Sequence, residues 1–190
     1  MVGLGNPGPE FEATRHNVGS DTVTLLAGRH GGRLRPEKGL HSQACVVHIG
    51  GRRVLLAIPS TYMNESGLAV TELVRRAGVA PDAVATQLIV VHDDLDLPPA
   101  RVKLKAGGGN AGHNGLKSID NHLKTNDYLR VRIGIGKPPG RQSGADFVLK
   151  RPGAAERDLL AVAVTEAAEA VEAVLSEGIE VAMNRVNTAP

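Results

Sequence analysis

Short apolar runs alternate along this chain with stretches whose apolar residues recur at helical spacing, and a chain patterned in this way builds an α/β sheet. Val2-Gly3-Leu4 reads as the end of a first strand. Residues 18–29 read as a helix, with Val18, Val23, Leu25 and Leu26 on its buried side and Asn17 as its N-cap. Residues 41–48 and 52–58 flank Gly50-Gly51 as a hairpin, and a helix over 66–77 carries Leu68, Val70, Leu73 and Val74. The unbroken run Leu88-Ile89-Val90-Val91 is what a central strand covered on both faces needs. Residues 101–106 alternate basic with apolar side chains, so that strand has one wet face. A short helix over 116–123 and a strand over 129–135 follow. A long Ala- and Glu-rich helix over 154–176 has Leu159, Val162, Ala163, Ala167, Ala170, Val171 and Val174 as its apolar positions. With aromatic residues at 2% and no Trp, the core must be built from Val, Leu, Ile and Ala. No repeat divides the chain, and Lys137-Pro138-Pro139-Gly140-Arg141 reads as a surface loop, so one α/β domain over residues 1–190 is expected.

The formal net charge of +2 hides a division along the chain. Residues 1–100 carry a net −1, residues 101–151 a net +8 and residues 152–190 a net −5. A basic block inside a folded chain points to an anionic partner, nucleic acid first, with a solvated basic surface as the alternative. No run approaches the roughly 20 apolar residues that cross a bilayer. Gly3, Gly5, Pro7 and Gly8 interrupt any signal-peptide pattern at the start, so the cytoplasm is the default address. Cys45, the only cysteine, reads as a small buried hydrophobe in a strand.

Gly3-Leu4-Gly5-Asn6-Pro7-Gly8 matches the G-x-G-x-x-G spacing of dinucleotide-binding turns. That motif runs straight into a helix and needs an acidic residue ending a second strand about 20 positions on. Here Pro7 and Pro9 delay the helix, and Leu26-Ala27-Gly28-Arg29 offers neither strand nor acid. The glycines instead suit a tight turn presenting Asn6 at a strand's carboxyl end. Gly115-Leu116-Lys117-Ser118 fails as a phosphate loop because Leu116 interrupts it.

Among the seven histidines, His16 stands in the polar segment Thr14-Arg15-His16-Asn17, just ahead of a helix and near the glycine turn. Asp93 follows a buried run and should emerge at the carboxyl edge of the sheet. A carboxylate there can accept a proton from one nitrogen of His16 and leave the other free to deprotonate water. Asp93, Asp94 and Asp96 could instead cap a loop or hold Mg²⁺, but Leu95, Leu97, Pro98 and Pro99 supply few further oxygens, and no metal is expected. Asn6, Asn64 and Asn114 each bring an amide donor and acceptor to the same edge, suited to a peptide or a developing oxyanion, although each could simply cap a turn or a helix. Gly107-Gly108-Gly109 beside Lys103 and Lys105 lets backbone approach a phosphate closely.

The segments GLGNPG (3–8), TRHNVG (14–19), TYMNESG (61–67), DDLDLP (93–98), KLKAGGGNAGHNGLK (103–117) and RIGIG (132–136) together resemble the bacterial peptidyl-tRNA hydrolase family, in order and over most of the chain. The resemblance implies a single α/β domain with a twisted, mixed, largely parallel sheet, active as a monomer without metal or organic cofactor. It implies a peptide or N-blocked amino acid esterified to the 3′ end of tRNA as substrate, with free tRNA and peptide as products. His16 then falls on the general base, Asp93 on the carboxylate that orients it, and Asn6 on the position that helps tell blocked from free aminoacyl-tRNA. Phe11, Tyr62, Asn64 and Asn114 fall on substrate-binding positions, and Lys103, Lys105 and Arg132 on basic positions that meet tRNA phosphates. For the oxyanion, Asn64 is the favoured donor. The alternatives are an RNA-binding protein of the same fold without activity and a dinucleotide-dependent oxidoreductase. Three departures from the family pattern stand out. Few apolar residues precede the glycine turn, which predicts a short first strand and leaves the true start open. Phe11 stands where Tyr is common, and Ala100 where Gly is usual.

Overall fold

A computed structural model, which describes residues 1–188, resolves the alternation into one seven-stranded sheet. The strands are β1 (Val2–Gly3), β2 (Arg35–Glu37), β3 (Ser42–Ile49), β4 (Arg52–Pro59), β5 (Ile89–Asp94), β6 (Val102–Ala106) and β7 (Leu129–Gly134). The helices are α1 (Val18–Arg29), α2 (Ser66–Ala77), α3 (Val84–Gln87), α4 (Asn114–Leu123), α5 (Gly144–Val148), α6 (Ala154–Glu177) and α7 (Ile179–Thr188). Spatial order is β2-β3-β4-β1-β5-β7-β6. The sheet is mixed, as expected, but it is not largely parallel. β1 pairs parallel with β4 and β5, and β5 with β7, while β2–β3, β3–β4 and β6–β7 are antiparallel. The short links over 38–41 and 50–51 force β2–β3 and β3–β4 to be antiparallel, whereas β6 lies antiparallel on β7 although the link over 107–128 contains α4 and is long enough for a crossover. Gly50 and Gly51 both take positive φ at the β3–β4 hairpin, the left-handed geometry its tight turn demands.

Helices cover both faces. Val91, Val131 and Ile133 pack under α1 and α6 on one side, and Val2, Leu4, Val90 and Tyr128 pack with α2 and α4 residues on the other. β5 is buried at every position, as its sequence demanded. Three apolar residues placed in buried stripes prove exposed: Leu68 at 45%, Leu159 at 51% and Val162 at 54%. In α6 the buried stripe runs through Leu160, Ala163, Ala167, Val171 and Val174, so Leu159 and Val162 lie off its axis. Because Ala recurs on most sides of α6, its apolar pattern has little power to fix rotation. Cys45 is half-buried, and burial pushes its thiol pKa up. β1 is short, as predicted.

One close approach positions the site. A Cβ on Gly19 would come within 2.3 Å of the Val91 carbonyl oxygen, and one on Gly3 within 2.2 Å of the Gly19 oxygen. The glycines of the first turn and of α1 therefore let that helix lie directly on β1 and β5. This contact, together with Ser20 N–H donating to Leu4 O, sets the angle at which residues 14–18 leave the sheet. Among the described residues, no helix is long and apolar enough to cross a membrane.

Candidate active site

β4, β1 and β5 are adjacent and parallel, so their carboxyl ends open on one edge, where α/β sheets assemble their sites. β1 runs out into Asn6, β4 into Tyr62-Met63-Asn64, and β5 ends with Asp93. A 3-10 helix at Arg15–Asn17 brings His16 onto that edge, and the first turn of α4 brings His113 and Asn114.

His16 Nδ1 lies 2.8 Å from Asp93 Oδ1, with both residues buried. His113 Nε2 lies 3.0 Å from the same oxygen. Burial works to raise the Asp93 pKa, but the charges and hydrogen bonds of His16 and His113 outweigh it and hold the carboxyl well below the usual range. An ionised Asp93 accepts from both rings. His16 accordingly carries its proton on Nδ1, and its Nε2 lone pair is left available.

His113 is fixed differently. Its Nδ1 accepts from the amides of Gly115 at 3.1 Å and Leu116 at 3.3 Å, capping α4. The Nε2 must then keep its hydrogen and donate it to Asp93. A third ring, His92, donates from Nδ1 to the Asp93 backbone oxygen at 2.7 Å. Burial first, and then the neighbouring His113, push the His92 pKa down to about 3, so it stays neutral. The sequence reading passed over both His113 and His92. His113 caps α4, which begins at Asn114, but the apolar pattern starts that helix only at Leu116 and so hides the capping position. The donor atoms of His16, Asp93 and His113 lie within 4.8 Å of one another. A cation there would need the Nε2 lone pair of His113, which can be freed only by moving the proton to Nδ1 and breaking the cap.

Asn6 is locked on three sides. Its Oδ1 accepts from Met63 N–H at 2.8 Å, its backbone N–H donates to Asn17 Oδ1 at 2.9 Å, and its carbonyl accepts from Asn17 Nδ2 at 3.0 Å. Asn17 occupies the N-cap position of α1 but makes no capping bond, because its amide is spent on Asn6. With Oδ1 committed, the Asn6 Nδ2 is a donor of fixed orientation. Asn64 and Asn114 are exposed, each beside an anchored residue, Met63 and His113. Phe11 and Tyr62 meet edge to face at 6.3 Å.

The other acidic residues of the DDLD segment point elsewhere. Asp94 accepts from Asp96 N–H and from Arg132 Nε, each at 2.8 Å, and Asp96 pairs with Lys137. Arg132 is therefore anchored at one end by a carboxylate. Lys103 and Lys105 share its face of the β6–β7 ribbon, Lys103 directly opposite it, and neither has a hydrogen-bond or ion-pair partner among the described residues. Arg15, beside His16, is buried against Phe147 and bonded to Glu156 through Nε and Nη2 at 2.6 Å each, which fastens the 3-10 helix to α6.

An imidazole aimed by a buried carboxylate, on the carboxyl edge of an α/β sheet, is what general-base activation of water requires, and that chemistry belongs to the class of hydrolases. The comparisons with known proteins agree with that class. The family model described as Peptidyl-tRNA hydrolase matches residues 1–190. A peptidyl-tRNA hydrolase of Nocardia farcinica is 52% identical over 187 residues, covering 98% of this chain and 95% of its own. One from Cutibacterium acnes is 46% identical over 198 residues, covering 99% and 97%. The crystal structure of peptidyl-tRNA hydrolase from Acinetobacter baumannii superposes with a TM-score of 0.90 at 37% identity, covering 98% of this chain and 93% of the other. The chain belongs to the peptidyl-tRNA hydrolase family.

Proposed function

We infer that this chain hydrolyses the ester joining a peptide, or an N-blocked amino acid, to the 3′ end of tRNA, with His16 as general base. The observation that carries the reading is the 2.8 Å contact between His16 Nδ1 and buried Asp93, which leaves Nε2 as the ring's lone-pair nitrogen. Water gives a proton to Nε2 as its oxygen attacks the ester carbonyl carbon. The imidazolium is stabilised by Asp93 and returns the proton to the departing 3′-oxygen as the carbon–oxygen bond breaks. The committed amide of Asn6, rather than Asn64 alone, offers its Nδ2 to a substrate carbonyl or to the oxyanion. Phe11, Tyr62, Asn64 and Asn114 line the peptide side, while Lys103, Lys105 and Arg132 take the tRNA phosphates. No step calls for a metal or an organic cofactor, and the protein works as a cytoplasmic monomer on this reading.

The test is incubation of the purified protein with an N-acetylated aminoacyl-tRNA and with its unblocked counterpart. Selective release from the blocked substrate is expected. Binding of tRNA without release would identify an inactive RNA-binding protein of the same fold instead.

A further inference from the structure

We propose that Arg130, which contacts neither His16 nor Asp93, is a positioning residue that holds the glycine loop of 107–112 and through it both His113 and Lys105. The proposal rests on the general-base reading above. Arg130 stands on β7 and is 2% exposed. A buried guanidinium needs its charge and hydrogens satisfied. Here backbone carbonyls serve the outer nitrogens, while the buried Nε has no acceptor among the described residues: Nη1 donates to Gly109 O at 2.7 Å, and Nη2 donates to Gly108 O and to Asn126 O. The cation also lies 4.6 Å over the Tyr128 ring.

The loop so held has no regular pairing of its own. Gly107, Gly108, Ala111 and Gly112 all take positive φ, and the alanine does so at a steric cost. Two paths lead out of it. Along the first, Tyr128 Oη and Asn110 Nδ2 each donate to one oxygen of Asp120, at 2.8 and 3.0 Å. Asn110 O accepts from His113 N–H at 2.8 Å, and His113 Nε2 reaches Asp93. The second path is shorter. Lys105 is the cross-strand partner of Arg130, a like-charge pairing that costs energy on its own. Its Nζ lies 2.7 Å from where a Gly108 Cβ would stand. Gly108 thus meets both cations, its carbonyl on Arg130 and its α-carbon against Lys105.

A planar fork can serve several carbonyls at once, whereas an ammonium is a point charge on a flexible stem. Arg130→Lys therefore keeps the charge and removes the geometry. Steady-state hydrolysis of N-acetylaminoacyl-tRNA by the full chain is the assay. Arg130→Lys should lower kcat by about 10- to 100-fold, as a small misplacement remote from the chemistry does, and should raise KM as well. Asn110→Ala breaks only the first path and should lower kcat with KM nearly unchanged. Since Arg130 acts on kcat through His113, the double variant Arg130→Lys/His113→Ala should fall no further in kcat than His113→Ala, within about threefold. The imidazole nitrogen-15 spectrum should report a single Nε2–H tautomer for His113 in the wild type and a mixture in Arg130→Lys. A folded Arg130→Lys protein with wild-type kcat overturns the proposal, as do kcat losses that multiply in the double variant. If Arg130→Lys does not fold, Asn110→Ala decides: an unchanged kcat overturns the proposal and a loss supports it. His16→Ala separates this idea from its premise, because an active His16→Ala protein defeats the general-base reading, whereas an inert one beside wild-type Arg130→Lys defeats only the positioning role.

Discussion

On the proposed function, the carboxyl edge of β4, β1 and β5 and the ribbon of β6 and β7 meet one substrate in opposite ways. At the first, the reacting groups are buried and committed: Asp93 serves two rings, and Asn6 is bonded at its side-chain oxygen, its amide and its carbonyl. At the second, Lys103 and Lys105 stand partly exposed with no acceptor among the described residues. Chemistry needs orientation before the substrate arrives, so its groups are paired with each other. Binding a flexible polyanion needs charge and reach, so its groups are left open to phosphate. The two regions should accordingly fail in different kinetic parameters.

His16→Ala is the hardest blow to the first region. It should cut kcat by about 10²–10⁴ and leave tRNA affinity near wild type, as read by turnover and by filter binding. Asn6→Ala removes one oriented donor and should cost about 10² in kcat. Equal losses of kcat and affinity in either variant would dissolve the contrast. Lys105→Ala tests the other side: KM should rise while kcat holds, and the slope of log affinity against log salt should flatten by about one.

Stability sharpens the contrast at the buried centre. Between 6.5 and about 3 the unfolded chain binds a proton that folded His92 refuses, so stability falls as pH drops through that window, by at most about 1.4 kcal/mol per pH unit. Asp93 has the more familiar sign, its contribution being present above the unfolded carboxylate value of 3.8 and lost below it. Denaturant midpoints taken from pH 7 to pH 4 should flatten in His92→Gln, and an unchanged slope would mean that another group carries the proton uptake. The smallest effect belongs to Ala100, which takes φ +65 at the entry to β6. Ala100→Gly should stabilise the fold by about 0.5–1 kcal/mol, a rise in Tm of roughly 1–4 °C.

Much of this was legible in the residues themselves. Strand alternation in β6, the unbroken apolar run of β5 and the Gly50-Gly51 hairpin are local signals; β6 and the hairpin strands came out within a residue, while β5 runs on past its apolar run to Asp94. The pairing of His16 with Asp93 could be anticipated because one lies just before a helix and the other just after a buried strand. The histidine census was less successful. His113 and His92 sit within 20 residues of Asp93 or beside it, yet their roles depend on where α4 docks, which no local pattern states. Asn17 was read as a cap because helix starts favour Asn. A distant partner, Asn6, claims it instead. The share of parallel pairing was overestimated because strand composition does not state direction: short links force β2–β3 and β3–β4 to be antiparallel, and β6 docks antiparallel on β7 across a long one. Helix α7 went unread, although Ile179, Ala182, Met183 and Val186 stand at helical spacing just after Gly178 ends α6.

That last helix does something for the sheet that a strand would ordinarily do. Asn187 accepts from Leu104 N–H at 2.8 Å and donates to Leu104 O at 3.0 Å, so one side-chain amide impersonates a neighbouring peptide unit along outermost β6. A margin of the kind that can template a second chain is capped at its middle by a single residue. The lysines on either side of Leu104 then project from a strand margin already occupied at its middle.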